Sequence, residues 1–255
     1  MLNKDIPRET LDRLKLVVFD SDGVSVPRGT EIREHVSSEH IDLTIRAFMV
    51  NRKLVELLAR LRKRVMIVIA SGRSLLHLET MYGTLLGDGT ILQAENGNLS
   101  LIGGRIVQHF AYSETYFGML AAIRRDARTL PIKGIEPKQL IVSVHAEREL
   151  PEMYDIVERH DERHELKTMW NGEAFDIQRR DVSKAAGLQK LMKHIGVTPE
   201  ETLAIGDRVN DVELLASVGV AISADKSTAP AEFWTEGEGL PGEILAQYLV
   251  ETYEL

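Results

Sequence analysis

Two aspartates one residue apart, Asp20 and Asp22, end an apolar run that begins at Leu16. Carboxylates this close repel each other unless a cation lies between them, and an oxygen-rich site of this kind suits magnesium. The same stretch also reads as a strand followed by an Asp-Gly turn at Asp22-Gly23, so alone it leaves turn and active site open. Polar groups recur at the ends of other apolar runs. Ser71-Gly72-Arg73 follows Val65 to Ala70, and Gly206-Asp207-Arg208-Val209-Asn210-Asp211 follows Thr202 to Ile205. Lys184 lies in the first turn of a helical stretch. Taken singly, a strand ending in Gly-Asp is common and a lone lysine is a solvated charge. Their order and the edge they would share make a constellation.

The elements that must position these groups follow from the pattern. Leu16, Val17, Val18 and Phe19 have no polar face, which predicts a central strand covered on both sides. Asn51 to Arg64 has helical spacing, and Val65 to Ala70 is a second apolar strand followed by a helix from about Leu75. Strand, helix and strand with short links form a right-handed parallel unit. Both strand ends then face one edge, where open α/β sheets place their ligands. Thr90 to Glu95 reads as a third strand and Leu99 to Phe110 as a hairpin about Gly103-Gly104.

Between residues 112 and 175 the pattern changes. A helix over 113–130, a strand over 140–144, a helix over 151–162 and a hairpin turning at Asn171-Gly172 predict a small α+β unit. The parallel pattern returns with a helix over 183–195, a strand over 202–205, a short helix from Asp211 to Ser217 and a last helix over 243–253. The expectation is an α/β fold: a Rossmann-like core of residues 1–111 and 176–255 built on a parallel sheet, with an inserted α+β domain of residues 112–175.

One segment stands apart. Within Val24 to Val50, Thr30 to Val36 reads as a strand, and Ile41, Leu43, Ile45 and Ala47 alternate with other residues. An isolated hairpin is marginal in water, so its apolar face needs a partner. The expectation is that it arches over the catalytic edge and contacts the insert or a neighbouring chain; the alternative is an enlarged surface flap.

Composition bounds the function. A chain of 255 residues can bury a large core. Its formal charge of -8 argues against nucleic-acid binding, which needs a basic surface. The lack of cysteine excludes disulfides, thiol catalysis and zinc–cysteine sites. The N-terminus is too polar for a signal peptide, and no stretch approaches the roughly 20 apolar residues that span a bilayer. A cytoplasmic protein with no membrane partner is expected, and homo-oligomerisation is left open.

The set of Asp20-x-Asp22-Gly23-Val24, a strand ending in Ser71, Lys184 and Gly206-Asp207-x-x-Asn210-Asp211 resembles the four motifs of the haloacid dehalogenase superfamily of phosphotransferases. All four occur in order, and the resemblance covers nearly the whole chain. The insert between the second and third motifs is similar to the cap of the Cof-type branch, which includes sucrose-phosphate, mannosylphosphoglycerate and archaeal phosphoglycolate phosphatases. Ala94-Glu95-Asn96-Gly97 and Asp181-Val182-Ser183-Lys184-Ala185 also resemble that branch.

The resemblance implies a magnesium-dependent phosphatase acting on a small phosphate ester, a sugar phosphate or a phospho-acid. It implies magnesium held by Asp20, Asp207 and the main-chain carbonyl of Asp22, with Asn210 and Asp211 positioning the metal and its waters. Asp20 would attack phosphorus, and Asp22 would protonate the leaving oxygen and then activate water. Ser71 would donate to a phosphoryl oxygen, and Lys184 would face the charge of the transition state. Gly72, Arg73 and Asn210 are candidate substrate contacts, with bracing of the following helix the other reading for Arg73. The segment after Gly23 is longer than the branch usually has. A phosphomutase is the alternative enzymatic reading, and a non-catalytic binding module on the same fold the alternative outside enzymes.

His160 and His164 are one helical turn apart but lack the His-Glu-x-x-His pattern and a third ligand. Arg124, Arg125, Lys133, Lys138 and Lys167 are basic residues of the insert, most of them read as solvated and one or two as candidates to face the catalytic edge. The one Gly-x-Gly-x-x-Gly, at residues 237–242, follows no strand expected from the sequence, and no Walker-type loop occurs.

Overall fold

Leu16, Val17, Val18 and Phe19 are completely buried. Each such side chain contributes about 1.5–3 kcal/mol by leaving water. They form β1 (Leu16–Asp20) at the centre of the larger sheet in a computed structural model, which describes residues 1–87 and 89–255. Among the described residues the chain divides into two units: residues 1–28, 48–109 and 183–255, and residues 29–47 and 110–182.

The first unit is built on an eight-stranded sheet. Its strands are β1, β4 (Met66–Ala70), β5 (Thr90–Ala94), β6 (Leu99–Ile102), β7 (Arg105–Gln108), β12 (Thr202–Gly206), β13 (Val220–Ser223) and β14 (Phe233–Trp234), in the order β14-β13-β12-β1-β4-β5-β6-β7. The run from β14 to β5 is parallel, and β6 and β7 add antiparallel strands at one edge. Register sets the site: Asp20 pairs with Ala70, and Phe19 with both Ile69 and Ile205. Ser71 and Asp207 therefore leave their strands beside Asp20. The helices of this unit are α1 (Arg8–Arg13), α2 (Arg52–Leu61), α3 (Leu75–Tyr82), α6 (Lys184–Ile195), α7 (Val209–Ala216) and α8 (Pro241–Thr252). Asn51 caps α2 by accepting from the Leu54 amide, and Leu54, Leu57, Leu58 and Leu61 are its buried stripe.

The second unit pairs β8 (Ile132–Glu136), β9 (Val142–Ala146), β10 (Leu166–Trp170) and β11 (Ala174–Arg179) in an antiparallel sheet of order β10-β11-β9-β8. One face packs on α4 (Glu114–Ala127) and α5 (Pro151–His160) through Leu120, Ile123, Val144, Met153, Phe175 and Ile177. The hairpin of β2 (Glu31–Val36) and β3 (Ile41–Arg46) belongs to this unit.

The domain division expected from sequence left residues 110–111 and 176–182 with the core, although β11 runs on to Arg179 in the antiparallel sheet, and it left 29–47 there as well. Residues 29–47 join the second unit by packing against β8, the open edge of the sheet. A Cβ built at Gly134 would lie 2.9 Å from the Glu34 Cβ, so this glycine lets the backbones approach. Glu34 then accepts from the Ile135 amide at 3.1 Å and pairs with Arg128 at 2.6 Å, covering an edge amide that would otherwise be open. Strand β8 was not predicted: Pro131, Lys133, Gly134 and Glu136 interrupt any apolar or alternating run. The strand expected over 140–144 forms two residues later.

Candidate active site

The turn after β1 is closed by its own backbone. The Ser25 and Val26 amides donate to the Ser21 carbonyl at 2.8 and 3.0 Å, and the Gly23 amide to the Val26 carbonyl at 2.8 Å. Ser25 Oγ donates to the Asp20 carbonyl at 2.7 Å. Gly23 has φ +86°, which residues with a Cβ resist. The turn thus holds Asp20 at the strand end and carries the chain back across the sheet edge.

Lys184 is the first residue of α6, where Ser183 caps the helix by accepting from the Ala186 amide. Its ammonium donates to Asp20 Oδ1 at 2.5 Å and to Asp211 Oδ1 at 2.7 Å, with all three side chains buried. Asp211 Oδ2 accepts from the Asp207 and Arg208 amides, both at 3.1 Å, which joins the start of α7 to the end of β12. Asp20, Asp207 and Asp211 each offer an oxygen within 4.8 Å of the others, the one such group of three found among the described residues.

Two cations, Lys184 and Arg28, pair with these three carboxylates, leaving one negative charge uncompensated. Asp207 Oδ1 is buried without a hydrogen-bond partner. Burial raises the Asp20 carboxyl well above its ordinary value; the charges of Asp211 and Asp207 add to this, and Lys184 opposes it. Burial also raises Asp207, against the pull of Arg28. For Lys184 burial acts to lower the proton affinity, but Asp20 and Asp211 outweigh it and hold the ammonium charged. An uncompensated charge and an unpartnered oxygen among hard oxygen donors fit a magnesium-sized cation.

The remaining predicted residues fall in three places. Ser71 is buried at the end of β4, where its Oγ accepts from the Arg73 amide at 3.2 Å. Residues 71 to 73 are braced by the 95–97 turn, with the Asn96 amide on the Ser71 carbonyl and the Glu95 amide on that of Arg73. Gly72 links Ser71 to Arg73 in this brace. Arg73 holds Asp22 through Nε to Oδ2 at 2.8 Å and a second nitrogen to Oδ1 at 2.5 Å. Asn210 is exposed on the first turn of α7, next to the buried Asp211.

Sequence reasoning missed Arg28. It lies in a segment with no motif, and nothing in its local pattern separates it from a solvated arginine. Among the basic residues of the insert Lys138 is an exception to solvation: its side chain is buried, 3.0 Å from Glu136 and 3.5 Å from Asp176.

Residues 127–231, which include Lys184, Asp207 and Asp211, match a family model described as haloacid dehalogenase-like hydrolase. The chain is 25% identical over 183 residues to the phosphoglycolate phosphatase of Methanopyrus kandleri, spanning 70% of this chain and 78% of that protein. A haloacid dehalogenase-like hydrolase from Bacteroides thetaiotaomicron aligns with TM-score 0.67 and 16% identity over 93% of this chain and 99% of its own. The C-terminal domain of the C. albicans trehalose-6-phosphate phosphatase aligns with TM-score 0.66 and 18% identity over 97% and 96%. At these identities the structural likeness speaks for the fold.

Proposed function

Because this chain belongs to the haloacid dehalogenase-like hydrolases, we propose that it is a magnesium-dependent phosphatase that hydrolyses a small phosphorylated metabolite, a sugar phosphate or a phospho-acid, through an aspartyl-phosphate on Asp20. The observation that carries this reading is the buried cluster of Asp20, Asp207 and Asp211 around Lys184, with one Asp207 oxygen lacking a partner. Relatives named phosphoglycolate phosphatase support the phospho-acid part of that substrate class.

Asp20, Asp207 and the main-chain carbonyl of Asp22 would hold the magnesium, with Asp211 as a carboxylate behind them. When bound, the ion offsets the negative charge that keeps a carboxylate and a phosphate ester apart. Asp20 supplies the nucleophilic oxygen, which forms the bond to phosphorus as the ester bond breaks. Lys184, charged and anchored to Asp20, faces the negative charge that spreads over the phosphoryl oxygens. Ser71 Oγ donates to one of those oxygens. Asp22 gives a proton to the departing oxygen and then takes one from the water that cleaves the acyl phosphate. Arg73 braces Asp22 for this exchange from the end of β4. Asn210, exposed on the first turn of α7, would contact substrate.

The test is phosphate release across a panel of phosphorylated metabolites, with magnesium and after chelation. Magnesium-dependent release from a subset of sugar phosphates or phospho-acids supports the reading. Full activity after chelation contradicts the metal's part, an isomeric sugar phosphate without free phosphate would mark a mutase, and no turnover would mark a binding module.

A further inference from the structure

Resting on the metal-site reading above, we propose that Arg28 is a positioning residue for that site: it fixes one oxygen of Asp207 so that the other is left free to take the cation. The guanidinium donates to Asp207 Oδ2, and Asp207 Oδ1 is buried with no hydrogen-bond partner. Asp211 pins the Asp207 amide. With its backbone and one carboxylate oxygen held, Asp207 keeps a single oxygen open.

Gly23 makes the pairing possible. A Cβ built there would lie 2.2 Å from Asp207 Oδ2 and 2.5 Å from Arg28 Nε. Any larger residue would occupy the space in which guanidinium and carboxylate meet. The glycine thus serves two needs, the left-handed turn and the room beside it. The closed turn of residues 21–26 brings the chain back to the sheet edge, and Arg28 follows two residues later.

Two effects of Arg28 oppose each other. Its charge repels an incoming cation, and its hydrogen bond orients the ligand. Orientation prevails here because the alternative leaves Asp207 a buried carboxylate whose remaining nearby cation is Lys184. Turning toward Lys184 would use the carboxylate oxygen that is otherwise open to the cation.

The experiment is calorimetric titration of magnesium into the wild-type protein, Arg28→Gln and Arg28→Lys, with thermal melts to establish folding. Loss of a partner that orients a metal ligand typically costs about 10–100-fold in metal affinity, so Arg28→Gln should raise the magnesium Kd by about that factor. Arg28→Lys should lie between Arg28→Gln and wild type, and it carries the test if Arg28→Gln does not fold. At saturating magnesium, turnover by either folded variant should approach that of the wild type. Unchanged or tighter magnesium binding in a folded variant overturns the inference, as does a turnover defect that magnesium cannot restore. A wild-type protein that binds no magnesium overturns the metal-site reading itself.

Discussion

At the scale of the residue, the division of labour between Asp20 and Asp22 follows from their surroundings. Asp20 is buried against Lys184, whereas the Asp22 side chain is about one-third exposed and held by Arg73. A nucleophile needs a fixed position; a group that exchanges protons needs access to water and to the leaving oxygen. Asp22→Asn should therefore leave the nucleophile in place and slow turnover by about 10²–10⁴-fold, the usual worth of a general acid–base. The loss should be smaller with p-nitrophenyl phosphate, whose leaving group needs little protonation. Equal losses on good and poor leaving groups would contradict the assignment. The aspartates were legible as polar groups at the ends of apolar strands, and Lys184 through the resemblance of its segment to a family motif. Arg28 was not, and Arg73 was legible as a candidate but not as the partner of Asp22, because an arginine's reach is set by the fold, and no local pattern reports which carboxylate it meets.

At the scale of the element, β1, β4 and β12 were legible because continuous apolar runs have one physical solution, burial on both faces. The hairpin was legible by its alternation, but its placement depends on a glycine and a glutamate 100 residues apart. Glu34 is the link: its side chain is 5% exposed and serves both Arg128 and the Ile135 amide. Glu34→Ala leaves that amide without its partner, and the expected cost is about 1–3 kcal/mol. Chemical denaturation should show the loss, and hydrogen exchange should place it at residues 132–136. A stability equal to wild type, with the Ile135 amide still protected, would show that the hairpin does not brace β8. The distal part of the hairpin has a different character, since Val36, Ile41 and Leu43 are exposed.

At the scale of the whole molecule, stability should depend on pH through His109. Burial, aided by the charges of His194 and Lys190, pushes this imidazole from 6.5 down to about 4, while Ser100 Oγ lies 2.8 Å from its Nε2. Below 6.5 the unfolded chain binds a proton that the folded protein resists, so stability is full above that pH and falls as the pH drops toward about 4. His109→Gln should flatten that part of the curve of melting temperature against pH. A slope unchanged by the substitution would assign the loss to other groups. Among the described residues no helix is long and apolar enough to cross a membrane.

The central claim is that Asp20 carries the phosphoryl group in the course of turnover, and the most direct measurement is an acid-quenched single turnover followed by peptide mass mapping. The peptide containing Asp20 should gain the mass of one phosphoryl group while substrate is being consumed and lose it as phosphate is released. Asp20→Asn should show neither the adduct nor turnover. A phosphoryl group found on another residue, or phosphate release that persists in Asp20→Asn, would contradict the account.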